Sequence, residues 1–155
     1  MTPAALIGPR RRQVLLVTGA SLFAPAVRSQ GAEMLADDLR RTVLAWTGGI
    51  TPREDRLRID IAPLVENGNA VPVTLGMASA MTAADHVRAI ALFNERNPQR
   101  EVAVFHFSPR SGRAEVSTRI RLATSQNLVA VARLSDGSCW SRHVEIIVTL
   151  AACIE

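Results

Sequence analysis

Two cysteines, Cys139 and Cys153, and three histidines, His86, His106 and His143, are the side chains of this chain best suited to nucleophilic or metal chemistry. No two of the histidines stand at a ligand spacing such as H-x-x-x-H, so they carry no metal signature. His106 lies within Val104-Phe105-His106-Phe107, the setting of a strand histidine whose ring is satisfied locally. Ser138 and Ser141 lack the flanking glycines of a nucleophile elbow. The carboxylates are single and interspersed with arginine, as on a solvated face, and Gly48-Gly49 reads as a helix stop and not as a phosphate loop. The sequence therefore points to no catalytic residue, no metal site and no cofactor.

The cysteines differ in setting. Cys139 follows the turn Ser135-Asp136-Gly137 at the start of the final strand, where a small apolar thiol is expected to pack beside Trp140. Cys153 stands third from the end of the chain, beyond that strand's last apolar residues. If the intervening segment is extended at roughly 3.3 Å per residue, the two lie about 45 Å apart. A disulfide needs Cα atoms within about 7 Å, so both thiols are expected to be free. An exposed thiol on a terminal tail suits a tether, because it can enter other proteins' active sites carrying a covalent adduct.

The elements that must position these residues follow from periodicity. Leu35, Leu39, Thr42, Val43 and Trp46 recur at three- and four-residue steps, which predicts an amphipathic helix over 33–46, stopped by Gly48-Gly49. Beyond Pro52 the pattern shortens to strands, predicted over 57–61, 71–76, 86–93, 102–107, 114–123, 128–134 and 140–150. The 86–93 segment also fits a short helix. The separators carry turn chemistry, among them Glu66-Asn67-Gly68-Asn69 and Ser135-Asp136-Gly137. Val116, Thr118, Ile120 and Leu122 alternate with Ser117, Arg119 and Arg121, and Val144, Ile146, Val148 and Leu150 repeat the pattern. The expected fold is mainly all-β: an immunoglobulin-like β-sandwich of about seven strands with one N-terminal amphipathic helix.

Composition agrees with one such domain. The chain has 155 residues, 48% of them hydrophobic, enough to bury a core without a disulfide framework. Its eighteen basic residues are all arginine, against fourteen acidic ones, giving a net charge of +4. Three of the arginines fall in what reads as a removable leader over residues 1–26. Pro9-Arg10-Arg11-Arg12 is its charged part, 14–23 its apolar stretch, and Ala24-Pro25-Ala26 a small-x-small cleavage site. The paired arginines resemble a twin-arginine export signal, which implies a periplasmic mature protein. The apolar stretch is too short to span a bilayer, which needs about twenty residues, so no membrane insertion of the mature chain is expected. Without the leader the balance is fifteen arginines to fourteen acids, too near neutral for nucleic-acid binding. The expected organisation is then a leader over 1–26, a helix-bearing sandwich over 27–150 and a tail over 151–155.

Several segments in this order and spacing resemble SoxY, the sulfur-carrier family of the bacterial Sox system for thiosulfate oxidation. They are residues 61–73 (IAPLVENGNAVPV), 93–98 (FNERNP), 102–112 (VAVFHFSPRSG), 117–126 (STRIRLATSQ), 129–137 (VAVARLSDG) and 148–153 (VTLAAC). The resemblance covers nearly all of the chain after the leader. It implies an immunoglobulin-like sandwich paired with a SoxZ-like sandwich subunit. It also implies a carrier cysteine that is loaded with thiosulfate by a haem c-containing enzyme. A dimanganese thiosulfohydrolase then releases sulfate, and in some organisms a sulfane dehydrogenase oxidises the remaining sulfane sulfur. By position Cys153 corresponds to the carrier cysteine, making Ala151, Ala152, Ile154 and Glu155 the carrier tail. The family's tail is Gly-Gly-Cys-Gly-Gly, so Ala, Ile and Glu here replace flexible residues with stiffer, bulkier ones. Two functions are carried forward: a periplasmic sulfur carrier, and a non-catalytic binding or assembly module whose Cys153 bears no substrate.

Overall fold

A computed structural model describes residues 30–152. The leader over 1–26 and the residues Cys153, Ile154 and Glu155 lie outside the described residues. One helix, α1 (Gln30–Thr47), precedes nine strands. These are β1 (Arg53–Glu54), β2 (Leu57–Asp60), β3 (Leu64–Asn67), β4 (Val71–Met77), β5 (Val87–Asn94), β6 (Glu101–His106), β7 (Ala114–Ile120), β8 (Gln126–Leu134) and β9 (Cys139–Leu150). One sheet has the order β1-β9-β8-β5-β6, with β3 added along the far end of β9; the other has the order β2-β4-β7. The two sheets close on a core that includes Val73, Leu75, Ile90, Leu92, Leu122, Leu128 and Ile146. This is the expected sandwich with one N-terminal helix.

The helix ends as its sequence requires. Gly48 and Gly49 both take positive φ, and their N–H groups donate to the carbonyls of Ala45 (3.3 Å) and Leu44 (2.8 Å). That pair of bonds is a Schellman cap, which only residues free of a Cβ penalty close easily. Leu39 and Val43 of α1 are buried against Ala91, Phe93 and Val131 on the outer face of the larger sheet, and Trp46 meets Phe93 edge-on at 6.1 Å. Two arginines tie the helix down. Arg100 donates to Asp38 at 3.1 Å, and Arg133 donates to the Trp46 carbonyl while its guanidinium sits 4.5 Å from the Trp46 ring. The hydrogen bonds from Arg100 and Arg41 hold the Asp38 carboxyl below its ordinary pKa.

The helix explains why the 86–93 segment reads ambiguously. With α1 on one face and the second sheet on the other, β5 is buried on both, and Ala89 to Phe93 form a continuous apolar run. Such a run has lost the period-2 signature of a half-exposed strand. Its pairing with β6 and β8 makes it a strand.

Two elements were not foreseen. β1 and β3 are short pieces that pair parallel to the two ends of β9. Glu66 and Asn67, read as part of a turn, close β3 instead. Segments of two and four residues hold too few positions to show alternation, so tertiary pairing alone defines them. The final alternation also fails at its last residue: Ile146 is buried, but Leu150 is 60% exposed because β9 continues past the core. Among the described residues no helix is long and apolar enough to cross a membrane.

Candidate functional site

The residues leading into Cys153 are knit to the rim of the sandwich by three backbone bonds. Gly68 N–H donates to Leu150 O (2.9 Å), Leu122 N–H to Gly68 O (2.8 Å), and Ala152 N–H to Leu122 O (3.2 Å). The turn after β3, the segment after β7 and the chain after β9 thus converge on one point. Ala151 is exposed, whereas Ala152 is only 6% exposed. Ala152, the neighbour of Cys153 in sequence, is therefore pinned at the rim.

Gly68 makes that convergence possible. A Cβ at this position would lie 2.3 Å from Leu122 O, 3.0 Å from the Ala152 nitrogen and 3.3 Å from Val148 Cγ1. The demand is for close approach of three backbones, not for an unusual φ. Beside it, Asn67 Oδ1 accepts from Asn69 N–H (2.9 Å), fixing the turn, and Ser125 Oγ accepts from Val148 N–H (2.8 Å), fixing the last part of β9.

Behind Leu122 stands a half-buried polar network that joins the segment 93–98 to residues 121–127. Asn97 Oδ1 accepts from Ala123 N–H (3.0 Å) and from Gln126 Nε2 (2.8 Å), and Asn97 Nδ2 donates to Arg121 O (2.8 Å). Gln126 Oε1 in turn accepts from Arg96 N–H (2.8 Å), and the buried Glu95 accepts from Asn127 N–H (3.1 Å). A satisfied network of this kind rigidifies the loop it braces. Here that loop carries the carbonyl that holds Ala152. Gly68, Leu122, Asn97 and Gln126 are not legible as site residues in the sequence. The Asn67-Gly68 pair signals a turn, but nothing local signals the third backbone packed against it.

Exposed apolar side chains lie near the end of β9. Leu64 of β3 and Ile147 of β9 are register partners on one face, 57% and 54% exposed, while Leu150, 60% exposed, points to the opposite face of the strand. An open hollow of about 510 Å³, lined by Leu64, Val65, Asn67, Val71 and Pro72 among others, runs along the unpaired side of β3.

The remaining candidates are placed elsewhere. Cys139 is buried and free at the opposite end of β9, its Sγ 4.0 Å from Gly137 O. It does not pack beside Trp140: successive strand residues face opposite sides, so Cys139 sits next to Arg133 while Trp140 joins the inter-sheet core. Burial pushes the Cys139 thiol up from its ordinary pKa, with Arg133 opposing weakly. Cys139 is therefore expected to resist iodoacetamide at pH 7 in the folded protein and to label once the chain is unfolded. Cys139→Ser should cost on the order of 1 kcal/mol in a denaturant titration.

The histidines are dispersed. His86 Nδ1 lies 3.1 Å from Thr82 O, and His143 Nδ1 lies 3.6 Å from Glu54 Oε1. His106 is exposed and its ring has no hydrogen bond among the described residues, contrary to the expectation of local satisfaction. Among the described residues no three His, Cys, Asp or Glu side chains converge as a metal site.

Comparison with known proteins returns one family model, Sulfur oxidation protein SoxY, matched over residues 44–153. No curated protein sequence matches the chain. Among solved structures, the chain is similar to the sulfur carrier protein SoxY from Chlorobium limicola f thiosulfatophilum, with 31% identity and a TM-score of 0.62, covering 74% of this chain and 99% of that one. It is also similar to the superoxide reductase (neelaredoxin) from Ignicoccus hospitalis, with 21% identity and a TM-score of 0.54 over 61% of this chain and 80% of that one. The superoxide reductase from Nanoarchaeum equitans gives 12% identity and a TM-score of 0.53, covering 62% and 100%. At these identities the two reductases share a fold with the chain and nothing more.

Proposed function

The chain belongs to the SoxY family of sulfur carriers in sulfur oxidation, which are not enzymes, and on that premise we propose that Cys153 is its covalent attachment point. The observation that carries this reading is the anchoring of Ala152 at the rim of the sandwich, immediately before Cys153 and beside exposed Leu150. The family match extends to that same cysteine. A cysteine that follows a pinned residue is offered to a partner from a fixed base, and the fixed chain before it loses little further freedom on docking.

The chemistry asks of this chain only a thiolate, a reach and a surface. Joining the Cys153 thiolate to the sulfane sulfur of thiosulfate forms one S–S bond and releases two electrons, which the haem c-containing loading enzyme accepts. Cleavage of the bond to the sulfonate by water, in a dimanganese thiosulfohydrolase, gives sulfate, a persulfide on Cys153 and two protons. Where a sulfane dehydrogenase is present, it oxidises the remaining sulfur. In this reading residues 1–26 direct export to the periplasm, and Ala151, Ala152, Ile154 and Glu155 form the arm around the thiol.

The exposed pair Leu64 and Ile147 supports a heterodimer with a SoxZ-like sandwich subunit, since large apolar side chains side by side at a sheet edge suit an interaction surface. Co-expression followed by size-exclusion chromatography is expected to give one heterodimer peak, and Leu64→Asp with Ile147→Asp is expected to split it. Two separate monomer peaks from the wild-type pair at micromolar concentration contradict the assignment.

Mass spectrometry of the protein isolated from its host during growth on thiosulfate tests the attachment. Sulfur-bearing adducts on Cys153 are expected. A uniformly unmodified thiol would favour a binding module whose cysteine carries nothing.

A further inference from the structure

The register of the larger sheet sets His106 of β6, Ala89 of β5, Arg133 of β8 and Cys139 of β9 in one row. Ala89 contributes only a methyl group, so the row dips between His106 and Arg133, and α1 ends beside the dip at Trp46. The result is a hollow of about 390 Å³ whose walls include His86, Arg88, His106 and Arg133, with Ser108 at its rim. No carboxylate lines it. Among the described residues neither Arg88 nor Arg133 forms an ion pair.

We propose that this hollow binds a small tetrahedral oxoanion of the sulfate type, held by Arg88 and Arg133 with His86 and His106 at its edge. Arg133 is already fixed by its bond to the Trp46 carbonyl and by the indole beneath its guanidinium. A guanidinium has five N–H donors, so this anchoring leaves donors for a ligand at little further entropic cost. His86 is likewise oriented, through Nδ1 and the Thr82 carbonyl. Two arginines around a concave site with no acidic neighbour focus a positive potential, the histidine rings add hydrogen-bonding nitrogens, and arginine's planar fork matches the paired oxygens of an oxoanion. The hollow is half open and of limited volume, a size for a small ion and not for an extended polyanion, in keeping with the near-neutral charge of the chain after the leader.

The site is separate from the carrier cysteine. Cys139 belongs to the row at one end of β9 and Leu150 ends the strand at the other, about 36 Å away at the usual rise per residue. Binding here is therefore independent of the Cys153 assignment, and either can fail without the other.

Two-dimensional NMR of the purified protein in chloride buffer at constant ionic strength decides the matter, with sodium sulfate, phosphate and acetate as titrants. Saturable shifts at the amides of Ala89, His106 and Arg133 are expected with sulfate and phosphate, and weaker ones with acetate. Arg88 is exposed and without a described partner, so Arg88→Gln should keep the wild-type melting temperature while weakening sulfate binding about tenfold. Failure of sulfate to saturate these signals, unchanged affinity in the Arg88→Gln protein, or acetate binding as tightly as sulfate each overturns the proposal.

Discussion

Cys153→Ser is expected to abolish sulfur transfer completely while leaving the fold and the melting temperature unchanged. A thiolate is the nucleophile that accepts sulfane sulfur, and a serine hydroxyl at neutral pH neither ionises nor forms a stable bond to it. No neighbour can take over. Cys139 is buried at the far end of β9, and its thiol is held protonated by desolvation. The check is thiosulfate-dependent electron release with the purified partner enzymes, comparing wild type, Cys153→Ser and Cys139→Ser. Activity is expected from the first and third only. Activity in Cys153→Ser that disappears in Cys139→Ser would move the attachment point to the other cysteine.

Gly68→Ala carries the second large effect. The added methyl would sit 2.3 Å from the Leu122 carbonyl oxygen, a distance no side-chain rotation relieves because both groups are backbone. The turn must shift, which loosens the bonds from Gly68 to Leu150 and from Ala152 to Leu122. Overpacking together with weakened backbone bonds costs about 2–4 kcal/mol. Denaturant titration is expected to show a loss of that size. Hydrogen exchange should accelerate most at the amides of Leu122 and Ala152, with those in the middle of β5 and β8 much less affected. A Gly68→Ala protein with wild-type stability and wild-type protection at Ala152 would mean that the tail is not held by this contact.

Comparing the sequence with the fold shows where local pattern suffices. The alternation of β7 is legible because one face meets the core and the other water, and the helix is legible because Leu39, Val43 and Trp46 share a stripe with a glycine stop behind them. β5 was open to two readings because burial on both faces erases the alternation. β1 and β3 were invisible because each exists only through pairing with β9. The same division holds for the site. Cys153 is conspicuous as a reactive residue type in an unusual place. The parts that hold Ala152, the residue before it, depend on long-range contacts: Gly68 against Leu122, and Asn97 with Gln126 behind them. The segment 93–98 was legible as a family signature, yet its physical task, bracing the loop that grips Ala152, required the tertiary contacts to be seen. The hollow beside Trp46 was equally hidden, since His106, Ala89 and Arg133 become neighbours only across three strands.

The attachment point can be read directly, because trypsin separates the two cysteines. Cleavage after Arg133 and Arg142 places Cys139 in the peptide 134–142 and Cys153 in the peptide 143–155. Loading the purified protein with thiosulfate and its oxidising partner, then mapping the tryptic peptides by mass without reductant, is predicted to give a thiosulfonate mass increment on 143–155 and an unmodified 134–142. An increment confined to 134–142, or none on either peptide under conditions that load an active SoxY protein, would contradict the assignment of Cys153 as the carrier residue.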